Sequence, residues 1–142
     1  AVDVALPPFD LVPLTPTGVR RLLDDAGIRW RIIVVTACYS GAWLEALAGD
    51  TTLVLTATDV GGTGAGCAVA DSGTAFGSAL FGTGLAEAET IESAFGMARR
   101  SIDEQAKGDA PSLPQMVMGP AMAGKLRELE RGRAARQASR SV

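Results

Sequence analysis

The sequence of 142 residues contains no histidine, only two cysteines and few aromatic side chains, which make up 5% of the chain. Zinc and related metals are bound mainly by histidine and by clustered cysteines, so we expect no metal site. The lack of histidine also removes the usual general base of nucleophilic catalysis from these residues. No apolar run approaches the length of a membrane span, and no charged-then-apolar signal segment opens the chain. We therefore expect a soluble domain, in the cytoplasm or the periplasm.

The composition is typical of one globular domain. Apolar residues make up 47% and charged residues 20%, and the chain is long enough to bury a hydrophobic core. Residues 125–140 hold six basic and two acidic residues, whereas the rest of the chain holds seven basic and fourteen acidic ones. We interpret residues 1–124 as the domain and residues 125–142 as a basic helical tail that frays at its end. We expect that tail to be a solvated helix end and not a surface for nucleic acid.

Strands and helices alternate along the chain, which predicts an α/β fold with a small, mostly parallel sheet flanked by helices. Thr15 as N-cap, Pro16 at the first helical position and Gly27 just past the end bracket a first helix. The continuously apolar, β-branched run Ile32–Ala37 predicts a strand buried on both faces. The other predicted elements are a helix at 42–47, a strand at 52–58, a loop at 59–73, helices at 74–85 and 90–107, an edge strand at 115–118 and a helix at 121–136.

Cys38 follows the first predicted strand directly and precedes a short polar segment, YSGA, at 39–42. A thiol at the carboxyl end of a strand, just before a helix, is well placed for nucleophilic chemistry. The reason is that N–H groups at a helix start lower a thiol pKa and hold an oxyanion. The small residues Ala37, Ser40 and Gly41 also let a substrate backbone approach closely. Burial as a small apolar side chain is the alternative, and the commoner, role of a single cysteine.

A second loop lies beside this segment in the predicted topology. The carboxyl ends of adjacent parallel strands lie at the same edge of a sheet, and ligands bind there. The loop that begins with Thr58 and Asp59 should therefore form one cleft with the Cys38 segment, with Cys38 on its floor. The glycine-rich stretch 61–66 lacks the Gly-x-Gly-x-x-Gly spacing of a nucleotide site, and we expect no cofactor. Cys67, which follows that stretch, is interpreted as a structural residue, although two cysteines also permit one disulfide.

The segment 33–41, IVVTACYSG, resembles the nucleophile segment of legumain-like cysteine peptidases, within the caspase-like group. In that family a hydrophobic strand and a small residue precede the cysteine, and one residue and then Ser-Gly follow it. The resemblance to bacterial members continues more loosely over most of residues 14–126. The supporting segments are 53–58, 66–67, 74–77, 91–95, 114–115 and 119–120.

The resemblance implies a three-layer caspase-like fold and hydrolysis of peptide bonds through a thioester on a Cys–His dyad. Cys38 would attack the carbonyl carbon of a peptide or protein substrate. Its own N–H, with that of a glycine following the histidine, would stabilise the oxyanion. Ser78 stands where relatives commonly carry an acidic residue that shapes the primary specificity pocket. With Thr58, Asp59 and Thr63 it completes our set of candidate pocket residues.

The family's histidine lies in a His-Gly pair upstream of the nucleophile, and that place would fall just before Ala1. We expect the chain to lack this N-terminal part of the fold, to expose an apolar sheet edge, and to be nearly inert by itself. Any membrane contact would come from segments outside these residues, as in some relatives.

Two alternatives remain open at this stage. One is a non-catalytic relative of the peptidases that acts as a binding domain. The other is a glutamine-amidotransferase-like α/β domain, which also places a cysteine between a strand and a helix and needs a glutamate near the thiol. Glu45 is the only acid close in sequence. A positive φ at Cys38 would favour this second alternative over the peptidase.

Overall fold

A computed structural model describes residues 7–9, 11–62, 69–70, 73–106 and 112–140 of the chain. These residues form an α/β structure, as predicted. In chain order the elements are α1 (Pro16–Asp25), β1 (Arg31–Val35), α2 (Ala42–Leu47), β2 (Thr52–Thr56), β3 (Val69–Ala70), β4 (Gly73–Thr74), α3 (Ala75–Gly77), a π-helical segment (Ser78–Gly84), α4 (Leu85–Glu87), α5 (Ile91–Gln105), β5 (Gln115–Met118) and α6 (Pro120–Arg140).

The main sheet has three strands in the order β1-β2-β5. β1 and β2 are parallel, with Val35 opposite Thr56, whereas β5 runs antiparallel to β2. The predicted sheet was mostly parallel, and the structure shows one parallel and one antiparallel pair. The parallel pair is the one that positions the site, because it brings the carboxyl ends of β1 and β2, and the segments that follow them, to the same edge of the sheet.

Helices pack on both faces of this sheet. The alternating side chains of β2 are divided between two apolar clusters, with Leu53 and Leu55 on one face and Val54 on the other. The first cluster also contains the T-shaped ring pair Phe76 and Phe95, whose centroids lie 6.1 Å apart. The second contains the buried side chains of α2, which are Trp43, Leu44 and Leu47.

Burial on both faces is a property of β2 and not of β1. All five residues of β2 are buried, whereas Ile32 in β1 is 50% exposed. The prediction that the run 32–37 is buried on both faces is therefore wrong for Ile32. The physical reason is that β1 lies at an edge of the sheet, where one flank has no neighbouring strand among the described residues.

Local sequence signals account for both ends of α1. The Thr15 side chain caps its first turn. At the other end Gly27 has a φ of 67°, and the N–H groups of Gly27 and Ile28 donate to the carbonyl oxygens of Asp24 and Leu23, each at 3.0 Å. This pattern satisfies the last carbonyls of a helix and needs a left-handed residue, which glycine provides at little cost.

Three predicted segments differ in detail. Residues 69–70 and 73–74, where a loop to 73 and a helix from 74 were predicted, pair as a short antiparallel ribbon. Residues 75–87, within the predicted helix at 74–85 and just beyond it, combine two short α-helical turns with a π-helical segment. The last helix extends beyond its predicted end at Arg136 to Arg140. Within the ranges that the structure describes, no helix combines the length and the hydropathy that a membrane crossing needs.

Candidate functional site

The chain turns sharply directly after Cys38, at the carboxyl edge of the parallel strand pair. We call residues 38–41 the Cys38 turn and residues 58–62 the 58–62 loop. Cys38 is exposed, and Tyr39 has a φ of 57°. Among the described residues Tyr39 is the only non-glycine residue with a positive φ. A bulky side chain in this region is uncommon and persists only where surrounding contacts hold it.

Those contacts come from the 58–62 loop, through a pair of buried hydroxyl residues. Ser40 and Thr58 are both 0% exposed. The Ser40 N–H donates to Thr58 Oγ1 at 3.1 Å, and the Thr58 N–H donates to Ser40 Oγ, also at 3.1 Å. The two hydroxyl oxygens lie 3.2 Å apart and form a third hydrogen bond. Each hydroxyl oxygen thus accepts a hydrogen bond from the backbone N–H of the other residue. These bonds join the turn to the loop, and they leave neither buried hydroxyl without a partner.

Backbone contacts join the same two segments. The Tyr39 N–H donates to the Gly62 carbonyl oxygen at 2.9 Å. Gly41 lies so close to the loop that a Cβ atom added there would be 2.7 Å from the Cα atom of Asp59, and closer still to the Asp59 carbonyl carbon and the Val60 nitrogen. Only glycine fits at position 41 without a shift of the backbone. The turn and the loop therefore pack directly against each other.

The structure brings several of the predicted site residues to this edge of the sheet. Thr58 and Asp59 adjoin the Cys38 turn through their contacts with Ser40 and Gly41, and Cys38 is exposed. Ser78 is exposed, and the preceding Gly77 packs near the Thr36 methyl group at the end of β1. Thr63 lies outside the described residues.

The residues predicted to form the oxyanion site and its turn are Ala37, Cys38, Ser40 and Gly41. The N–H of Ser40 donates to Thr58, and that of Tyr39, which was not in the predicted set, donates to Gly62, so neither is directed at a substrate. Helix α2 has only six residues, so its dipole adds little at its start. Ala37 is half-buried and Gly41 is buried. The implied mechanism assigns the oxyanion to the Cys38 N–H, and this assignment stays a prediction.

Cys38 is disulfide-bonded in the structure. The only other cysteine of the sequence, Cys67, lies outside the described residues. A disulfide sulfur is not nucleophilic, since the thiolate is the attacking species of cysteine chemistry. Any nucleophilic role of Cys38 therefore begins with reduction of this bond.

The backbone angles test the amidotransferase-like alternative. Cys38 is not among the residues with positive φ, and the left-handed residue is Tyr39, one position later. The Glu45 side chain is exposed on α2. Both observations count against a strained nucleophile elbow at Cys38. In the part of the chain that the structure describes, no group of three or more acidic or cysteine side chains is arranged to hold a metal ion.

Comparison with known proteins gives one match. A family model described as the Peptidase C13 family matches residues 3–124, a range that includes the Cys38 turn, the 58–62 loop and Ser78. No curated protein and no solved structure matches the chain.

Proposed function

Because the chain belongs to the Peptidase C13 family, the legumain family of cysteine peptidases, we propose that Cys38 is the nucleophile of a peptide-bond hydrolase. Family membership confirms the resemblance seen in residues 33–41, and the three-stranded sheet with helices on both faces agrees with part of a caspase-like fold. Proteins or peptides are the substrates that this family implies.

The position of Cys38 carries the proposal. It is exposed, it comes at the carboxyl end of a strand in a parallel pair, and its turn is held by hydrogen bonds to the neighbouring loop. A cysteine whose role is only to fill the core would be buried. Once its disulfide is reduced, an exposed thiolate on a turn held by hydrogen bonds can instead approach a substrate carbonyl in one orientation, which is a condition for efficient nucleophilic attack.

The proposed reaction has two steps. The thiolate of Cys38 forms a bond to the scissile carbonyl carbon, and the oxyanion accepts a hydrogen bond from the Cys38 N–H. The carbon–nitrogen bond then breaks, and the leaving amine takes a proton from a histidine imidazolium, which leaves a thioester on Cys38. Water, deprotonated by the same histidine, hydrolyses the thioester and restores the thiolate.

These 142 residues contain no histidine, so the proposal assigns the general base to a residue outside them. In the proposal it belongs to a His-Gly pair encoded upstream of Ala1. Loss of general-base catalysis alone costs about 10²–10⁴-fold in rate. The chain without that histidine is therefore expected to bind and to react with electrophilic peptides, but to hydrolyse peptide bonds very slowly.

Among the candidate pocket residues, burial separates two roles. Ser78 is exposed and Asp59 is half-buried, so both side chains are accessible to a substrate. Thr58 is 0% exposed and hydrogen-bonded to Ser40, so it is not part of the pocket surface. We propose Ser78 and Asp59 as the residues that contact substrate side chains.

Electrophilic peptides test the role of Cys38 without the missing base. The reduced chain is treated at about pH 9, where ordinary cysteine thiols are largely ionised, with peptidyl chloromethyl ketones that differ in the residue before the carbonyl. The thiolate bonds to the methylene carbon and chloride leaves. We define the relative labelling rate as the rate constant for such a ketone at Cys38 divided by the rate constant for iodoacetamide, which needs no peptide docking.

The relative labelling rate is measured by peptide mass spectrometry in the folded chain and in the chain unfolded in guanidinium. We expect at least one ketone for which the folded value exceeds the unfolded value about 10-fold or more, because a folded site orients the carbonyl. Cys38→Ser serves as the control that identifies the modified atom. Equal values for every ketone would overturn the nucleophile assignment.

A second candidate function is a non-catalytic peptide-binding domain of the same family. The specific observation that favours it is the lack of histidine in a chain that keeps the rest of the nucleophile segment. The two candidates differ in the coding sequence before Ala1. A His-Gly pair there, following a hydrophobic strand pattern, supports the peptidase, and its absence supports the binding domain.

A further inference from the structure

We propose that Ser40 and Thr58 are positioning residues that hold Cys38 in the orientation needed to attack a peptide carbonyl. The inference rests on the proposed function, because it assigns these residues a part in the same reaction. Neither side chain reaches the surface, so neither contacts the substrate. They act through the backbone of the Cys38 turn.

The geometry makes the pair a connection between the two strand ends. Ser40 is two residues after Cys38, and Thr58 is two residues after the end of β2 at Thr56. The three hydrogen bonds between them, at 3.1, 3.1 and 3.2 Å, include both backbone N–H groups and both hydroxyls. Thr56 Oγ1 also donates to the Thr58 carbonyl oxygen at 3.0 Å, which stiffens the chain between β2 and the pair. The position of Ser40 is thus fixed relative to the sheet.

Fixing Ser40 fixes Cys38, because only Tyr39 lies between them. Cys38 is connected on its other side to β1 through Ala37 and Thr36, and the Ala57 N–H donates to the Val35 carbonyl oxygen at 3.0 Å. Tyr39 has a φ of 57°, a value that a non-glycine residue leaves readily when nothing holds it. Without the pair, the turn of the reduced chain would keep the Tyr39–Gly62 hydrogen bond but lose both side-chain hydrogen-bond partners, and we expect it to relax toward ordinary backbone angles and to rotate the Cys38 side chain.

Two substitutions of Thr58 separate the effect of its hydroxyl group from the effect of its side-chain volume. Thr58→Val keeps nearly the same shape but removes the acceptor of the Ser40 N–H. Thr58→Ser keeps the hydroxyl and removes only a methyl group. Thr52→Val is the matched control. Thr52 is a buried threonine as well, with 4% exposure, but it lies at the start of β2, at the end of the strand away from Thr58. All three chains are studied below their thermal transitions, so that the folded state is measured in each.

The relative labelling rate at Cys38 is the readout, since dividing by the iodoacetamide rate removes differences in thiol exposure and ionisation. We expect Thr58→Val to lower it about 10-fold or more, toward the value of the unfolded chain, because misplacing a reacting group by about 1 Å removes the advantage of orientation. Thr58→Ser should restore it to within about 3-fold of the wild type, and Thr52→Val should leave it unchanged, because neither change moves the turn. A loss of stability alone would not change this ratio in folded protein.

Two failures are distinguishable. If the relative labelling rate of the wild-type chain is no higher in the folded than in the unfolded state, the nucleophile assignment is wrong, and so is the positioning role. If the wild-type value is high and Thr58→Val keeps it, the positioning role is wrong while the proposed function stands. A loss in Thr52→Val as large as in Thr58→Val would also overturn the positioning role, because the effect would then be a general result of removing a buried hydroxyl.

Discussion

Gly41 offers the sharpest test of the contact between the Cys38 turn and the 58–62 loop. It is the residue before α2 and has φ and ψ angles of −55° and −28°, which are right-handed helical values. Alanine is favoured over glycine in such a conformation by about 0.5–1 kcal/mol. Backbone preference alone therefore predicts that Gly41→Ala stabilises the protein.

Steric exclusion predicts the opposite sign. The added Cβ atom would lie 2.7 Å from the Cα atom of Asp59, and other backbone atoms of Asp59 and Val60 are nearer. Carbon atoms in contact are ordinarily about 3.5–4.0 Å apart, so the loop backbone would have to move by about 1 Å or more. Overpacking of this kind costs about 1–3 kcal/mol, and the value should be near the upper end because backbone cannot rotate away. The net expectation is a loss of about 2 kcal/mol.

Gly61→Ala is the matched control within the same loop, because no atom lies within 4 Å of the Cβ that it would add. It should change the stability by less than about 1 kcal/mol, and in the favourable direction. The free energy of unfolding is measured by denaturant titration for both variants, with thermal melts as a check. A loss of about 2 kcal/mol lowers Tm by about 7 °C in a chain of this size. Equal stability of the two variants would refute the close packing of turn and loop.

Three further predictions concern single positions, each measured as a free energy of unfolding. Alanine variants are usually more stable than glycine variants, and at Tyr39 this order should be reversed. Tyr39→Gly should be more stable than Tyr39→Ala by about 1 kcal/mol, since φ is positive there. The opposite order would contradict the left-handed backbone. Thr90→Ala should cost about 1 kcal/mol, because the Thr90 and Ser93 side chains form a reciprocal cap at the start of α5; an unchanged value would exclude that cap. Gly119→Ala should cost about 2 kcal/mol or more, since its Cβ would lie 2.5 Å from the Asp50 carbonyl carbon. Wild-type stability in that variant would contradict the tight junction before α6.

Much of the fold could be predicted from local sequence, because local signals determine it. The bounds of α2 and β5 are those predicted, and Thr15 and Gly27 lie at the ends of α1 as expected. The burial of β1 was not predictable in the same way. A continuous apolar run such as IIVV has the same appearance in a central strand and in an edge strand, and only the sheet order decides which flank is covered.

The site was predictable in its location but not in its internal contacts. The parallel pairing of β1 and β2 follows from their connection by a short helix, and it brings Cys38 and Thr58 together. The pairing of Ser40 with Thr58 depends on register and on side-chain direction, which the sequence does not state. The left-handed Tyr39 carries no sequence signal either, because glycine or asparagine is the usual residue at such an angle.

The most direct test of the central claim is a rate of peptide hydrolysis. The measurement uses the gene product that includes these residues and the sequence upstream of Ala1, in a reducing buffer, and compares kcat/KM of the wild type with that of Cys38→Ala and Cys67→Ala. A peptidase with Cys38 as its nucleophile should lose about 10³-fold or more in Cys38→Ala, since a nucleophile has no substitute in the reaction, and should keep its activity in Cys67→Ala. Hydrolysis that survives Cys38→Ala would contradict the assignment of Cys38.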